Sequence, residues 1–162
     1  MFLRYYVELD LPTEQAKAAL LDSPSSWLPT LVDEAVERAE PLLAEVGVGR
    51  GGLRVARRIA VRLGTPVQFP SKLSLPMTWE PGGHLLPRLD AELELASLGR
   101  TRTQLAISGR YDPPLGTVGR AIDRFALHRV AEATIKDFLD RVAAALLESL
   151  RDSANGHTQP SH

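Results

Sequence analysis

The stretch Asp10–Val32, DLPTEQAKAALLDSPSSWLPTLV, follows directly on an alternating run, Phe2–Asp10, FLRYYVELD, and the change of period between them decides how the chain is built. In the first run Leu3, Tyr5, Val7 and Leu9 fall on one face, and Arg4, Tyr6, Glu8 and Asp10 on the other. That is the pattern of a half-buried strand. Pro12, Thr13 and Glu14 then open a helix that docks through Ala16, Ala19 and Leu20, and Asp22-Ser23-Pro24 ends it. A second helix is predicted from about Trp27, with Leu28, Leu31, Val32, Ala35, Val36, Ala39, Leu42, Leu43 and Val46 at helical spacing. Pro41 has no donor for an i−4 bond and is expected to kink or split this helix; Gly47 is expected to stop it.

Beyond it, from Leu53 to Asp112, the period is two through four runs. The first places Leu53, Val55, Arg57, Ile59, Val61 and Leu63 opposite Arg54, Arg58 and Arg62. The second aligns Phe69, Leu73, Leu75, Met77 and Trp79 against Lys72, Ser74, Thr78 and Glu80; Pro70 and Pro76 predict that it lies at an edge or is divided. The third sets Leu89, Ala91, Leu93 and Leu95 against Arg88, Asp90, Glu92 and Glu94, and the fourth sets Thr103, Leu105, Ile107 and Tyr111 against Arg102, Gln104, Ser108 and Arg110. Alternation of this kind belongs to an antiparallel sheet with one face in water, since a parallel sheet is apolar on both. Gly64-Thr65-Pro66, Pro81-Gly82-Gly83 and Leu98-Gly99-Arg100 supply the turns between hairpin strands.

After Asp112-Pro113-Pro114 the spacing becomes helical again. Val118, Ile122 and Phe125 form one stripe, and Ile135, Phe138, Leu139, Val142 and Leu146 form a later one rotated from it, which a bend or a short preceding helix explains. A helix over about 117–150 is longer than an ordinary one and is expected to span the sheet. The tail RDSANGHTQPSH, 151–162, is polar and holds Gly and Pro, so it is expected to be disordered, with His157 and His162 in it.

A chain of 162 residues suits one domain. Its 19 basic and 20 acidic residues leave a net charge of −1, which gives no electrostatic reason to expect nucleic acid or anionic lipid as the main partner. There is no cysteine, hence no disulfide, thiolate metal site or cysteine nucleophile, and a cytoplasmic location is expected. No apolar window approaches the roughly 18 residues of a membrane span, and Arg4, Glu8 and Asp10 interrupt any leader-like run at the start.

Strand, two helices, hairpin-linked strands and a long closing helix is the order of the START and polyketide cyclase superfamily. The segment Gly109–Leu146, GRYDPPLGTVGRAIDRFALHRVAEATIKDFLDRVAAAL, closely resembles the last strand and closing helix of uncharacterised bacterial members. The resemblance covers about residues 1–150. It implies an α+β helix-grip fold: a curved antiparallel sheet wrapped around a long C-terminal helix, two short helices after the first strand, and an apolar cavity between sheet and helix. Members reuse that cavity as lipid carriers, hormone receptors, cyclases and co-chaperones, so the resemblance names no ligand.

Candidate cavity residues come from the inward face. Arg57 is a charge on an apolar strand face, and a buried guanidinium needs a partner, which in a cavity is a ligand carboxylate or carbonyl; the alternative is that it snorkels to the rim or pairs with a protein acid near a one-residue bulge that flips the register. Tyr5, Trp79 and Tyr111 carry polar tips that either orient a ligand or serve as ordinary core aromatics bonded to backbone. Phe69, Met77 and Phe138 supply apolar lining. His128 shares a helical face with Ile135, Val142 and Leu146 and is either a proton donor to the cavity or a structural histidine. His84 sits in a Gly-Gly turn and is expected to be solvated.

Catalytic signatures are scarce. GVGRGG, Gly47–Gly52, lies between a helix and a strand, the wrong context for dinucleotide binding. His84 and His128 do not have metal-ligand spacing, and Asp112, Asp123 and Arg124 read as capping and surface pairing. No catalytic residue, metal or cofactor is assigned. The function read from the sequence is binding of a hydrophobic or amphipathic small molecule by a monomer or homodimer. The alternatives are a cyclase or dehydratase in which Arg57, Tyr111 and His128 polarise a carbonyl and move a proton, and an interaction module that buries a partner segment.

Overall fold

The computed structural model of the protein describes residues 1–45, 60–80, 88–112 and 124–156. Arg57, Ile59, His84, Val118 and Ile122, with the expected stop at Gly47 and turn at Pro81-Gly82-Gly83, lie outside the described residues. The elements run β1 (Phe2–Leu9), α1 (Thr13–Leu21), α2 (Pro24–Glu45), β2 (Ala60–Leu63), β3 (Val67–Phe69), β4 (Lys72–Glu80), β5 (Arg88–Ser97), β6 (Thr103–Asp112) and α3 (Arg124–Gly156). Among the described residues six strands form one open sheet in the order β1-β6-β5-β4-β2, with β3 also paired to β4, and every described pairing is antiparallel. The helix α3 crosses this sheet, and α1 and α2 pack beside it: the helix-grip fold.

Odd-numbered residues build the inner face in register. Tyr5, Ile107, Leu93 and Leu75 form one cross-strand row; Leu3, Gly109, Ala91, Met77 and Leu63 form the next; Tyr111, Leu89, Trp79 and Val61 form the row at the end of the sheet. Against them α3 presents Ala131, Ile135, Phe138, Leu139, Val142 and Leu146, all buried. The Trp79 and Phe138 rings meet edge to face, centroids 5.8 Å apart and planes at 80°.

The second alternating run is divided, as its prolines predict, but into β3 and β4 around the turn at Pro70-Ser71. Pro76 nevertheless sits inside β4, opposite Glu92. Its carbonyl accepts from the Gly64 N–H at 2.8 Å, so its donorless nitrogen faces the gap between β2 and β3, where no ladder bond is required. The division also corrects Phe69. Pairing across the tight turn sets Phe69 opposite Lys72, on the outer face, and Phe69 is 52 % exposed instead of lining the interior.

Two helix boundaries differ from expectation. α2 begins at Pro24, three residues before Trp27, and continues through Pro41 to Glu45 as one helix, so the proline does not split it. α3 continues past residue 150 to Gly156, with Ser149 and Ser153 hydroxyls bonded back to the carbonyls of Leu146 and Ser149. The expected disorder therefore does not apply to 151–156, and 157–162 lie outside the described residues.

Polar clamps hold the layers together. Lys17 on α1 is buried, and its Nζ donates to Glu14 Oε1 at 2.9 Å and to the carbonyls of Phe69 and Pro70 at 3.0 and 3.4 Å. Thr13 and Thr103 hydroxyls meet at 3.0 Å, and Thr103 donates to the Leu11 carbonyl at 2.6 Å. Arg141 on α3 bonds Asp137 at 2.7 Å and also reaches Glu34 on α2.

Candidate functional site

The inner face ends in a row that is apolar except at two atoms. Trp79 and Tyr111 flank Leu89, one strand on each side, which sets their backbones about 10 Å apart at the usual strand spacing. Both side chains are fully buried, and neither Trp79 Nε1 nor Tyr111 Oη has a hydrogen-bond partner among the described residues. An indole N–H only donates, whereas a phenol donates and accepts. Buried polar atoms are nearly always paired, and leaving one unpaired costs about 1–3 kcal/mol. Burial also pushes the Tyr111 phenol above its ordinary pKa, holding it neutral as a hydrogen-bond donor.

Met77 and Phe138, also expected to line an interior site, are buried beside this row, Met77 in the adjacent cross-strand row and Phe138 on the Trp79 ring. The chain start is tied to the same end of the sheet: the Met1 ammonium donates to the Tyr111 carbonyl at 2.8 Å and the Tyr111 N–H donates to the Met1 carbonyl at 2.7 Å.

Tyr5 and His128 occupy a second place. They line an open groove of about 500 Å³ between β1, an edge strand, and α3. Leu3 and Ile135, both core residues, form its apolar floor, and Arg4, Arg129, Glu132 and Lys136 stand around it. His128 Nε2 lies 3.1 Å from Glu132 Oε1, and its Nδ1 contacts the Met1 sulfur. Lys136 sits 5.6 Å from the centre of the Tyr5 ring; its bonds to Asp140, and then to the Tyr5 hydroxyl, raise its pKa. The groove cations escape a reading by strand and helix period, because what joins Arg4 to Arg129 is the packing of β1 on α3. Among the described residues no three His, Asp or Glu side chains gather as metal ligands, and no helix is long and apolar enough to cross a membrane.

No family model matches the chain, and no curated protein does. Among solved structures it is similar to a conserved protein from Geobacillus kaustophilus, at 17% identity and a TM-score of 0.52, covering 92% of this chain and 97% of that one. An aromatase/cyclase from Streptomyces sp. R1128 aligns at 12% identity and a TM-score of 0.41, over 94% and 97% of the two chains. The lipid transfer and protein localization domain of human StarD13 aligns at 15% identity and 0.35, over 90% and 76%. The first of these likenesses supports the fold and nothing finer.

Proposed function

We propose that this chain belongs with the START and polyketide cyclase superfamily and binds a hydrophobic or amphipathic small molecule between its sheet and α3. The observation that carries this reading is the row Tyr111-Leu89-Trp79, in which two polar atoms without a partner among the described residues project from an otherwise apolar inner face. A mostly apolar site with a few convergent polar groups suits a molecule of one or two oxygen functions. In the complex Trp79 Nε1–H donates to a ligand acceptor and Tyr111 Oη donates or accepts. Met77, Phe138 and Tyr5 supply apolar contact, and His128 borders the groove through which the ligand is reached. Arg57 belongs to the proposal on its sequence pattern alone.

Pyrene and Nile red, both neutral and fluorescent, test it. The chain has two tryptophans, and Trp27→Phe leaves Trp79 as the single indole at the cost of one exposed hydrogen bond to the Asp22 carbonyl. The reading expects saturable pyrene binding with energy transfer from Trp79, and a co-purified small molecule in native mass spectra. A folded, monodisperse protein that binds neither probe saturably contradicts it.

A further inference from the structure

The groove between β1 and α3 has a charge pattern that the apolar inner face does not account for. Arg4 on β1 and Arg129 on α3 both line it, both are exposed, and neither makes an ion pair among the described residues. The other charged groups around the groove are engaged: Glu132 with His128 at 3.1 Å, and Lys136 with Asp140 at 2.9 Å. Two guanidinium groups without an ion pair among the described residues therefore stand over an apolar floor of Leu3 and Ile135 that is continuous with the core. Other described arginines divide between those drawn to acids, Arg62 to Glu80, Arg88 to Glu80 and Asp90, Arg102 to Glu8, and exposed ones such as Arg100, Arg110 and Arg151; what distinguishes Arg4 and Arg129 is that both line one groove over an apolar floor.

We infer that this groove is an anion-binding mouth, and that the ligand is an amphiphile whose carboxylate lies between Arg4 and Arg129 while its apolar part passes Leu3, Tyr5 and Ile135 toward the inner face. The inference rests on the proposed binding function and narrows its ligand to an acid. A guanidinium offers paired N–H donors that match carboxylate geometry. The volume of about 500 Å³ suits a small molecule. Leu3 pairs with Gly109, the residue two before Tyr111 on β6, so a chain entering over Leu3 reaches the row of unpartnered polar atoms next.

The test compares dodecanoate with dodecanol as competitors of bound Nile red at a pH where the acid is ionised, in the wild type, Arg4→Gln, Arg129→Gln and the double variant. A charge-assisted pair predicts an advantage of about tenfold or more for the acid in the wild type, reduced in each single variant and abolished in the double one, with dodecanol affinity unchanged throughout. The acid's advantage also shrinks with added salt. An acid that binds no better than the alcohol, or keeps its advantage in the double variant, overturns the anionic mouth and leaves apolar binding standing. Failure of Nile red and both amphiphiles to bind overturns both.

Discussion

Trp79 and Tyr111 lie two strands apart in one cross-strand row, on either side of Leu89, and each ends in a buried polar atom that meets no partner among the described residues. The same row is where α3 is anchored, because the Phe138 ring meets the Trp79 indole edge to face. Under the proposed function, anchoring and ligand recognition share a side chain.

That anchor sets the first expectation. Phe138 is fully buried, so Phe138→Ala should lower stability by about 3–5 kcal/mol, and Phe138→Leu, which leaves a smaller cavity but still loses the edge-to-face contact with Trp79, by less than the alanine variant. Urea unfolding followed by far-UV circular dichroism measures both.

Gly109 is required by its neighbours. A Cβ built there lies 2.4 Å from the Asp90 carbonyl oxygen and 2.6 Å from the Ala91 Cβ, so the backbone of β5 would have to move. Gly109→Ala is expected to destabilise by about 1–3 kcal/mol, whereas Ala106→Gly, on the same strand, should cost about 1 kcal/mol or less. Similar melting temperatures for the wild type and Gly109→Ala would contradict the close approach.

Lys17 fastens α1 to the β3–β4 turn through the Phe69 and Pro70 carbonyls and also pairs with Glu14 within α1. Lys17→Met removes the donor for both carbonyls and should cost about 1–3 kcal/mol. Glu14→Gln removes only the partner whose side chain is 79% exposed, and such surface pairs contribute about 0–1 kcal/mol. Proteolysis near Phe69 should speed up in the first variant and not in the second.

Alkaline stability follows from Tyr111. Burial raises its pKa above the ordinary 10.0, so below pH 10 both folded and unfolded chains keep the proton and nothing is lost. Above it the unfolded chain ionises first, and stability falls as pH rises. Tyr111→Phe should flatten that fall relative to the wild type in unfolding series taken between pH 8 and about 11.

The alternation of the strands and the long closing stripe made the fold legible, because periods of two and 3.6 are properties of the chain itself. Leu3, Leu75, Leu93 and Ile107 are buried where that period places them, while Val7 is partly buried against the same core. The period misplaces Phe69 because the turn at Pro70-Ser71 resets the parity, and no period carries through a turn. The burial of Lys17 was unreadable for a different reason: its partners are backbone carbonyls some fifty residues away. The groove pairing Arg4 with Arg129 likewise exists only once β1 and α3 are packed.

Tyr111→Phe, followed by two readouts, tests the central claim most directly. If the Tyr111 hydroxyl is held for a ligand, deleting it should raise the stability of the ligand-free protein by about 1 kcal/mol or more, since an unpaired buried group is removed. The same change should weaken Nile red, which carries a carbonyl acceptor, by about tenfold while leaving pyrene, which has none, unaffected. A Tyr111→Phe protein that is less stable than the wild type and binds both probes with wild-type affinity would contradict the account.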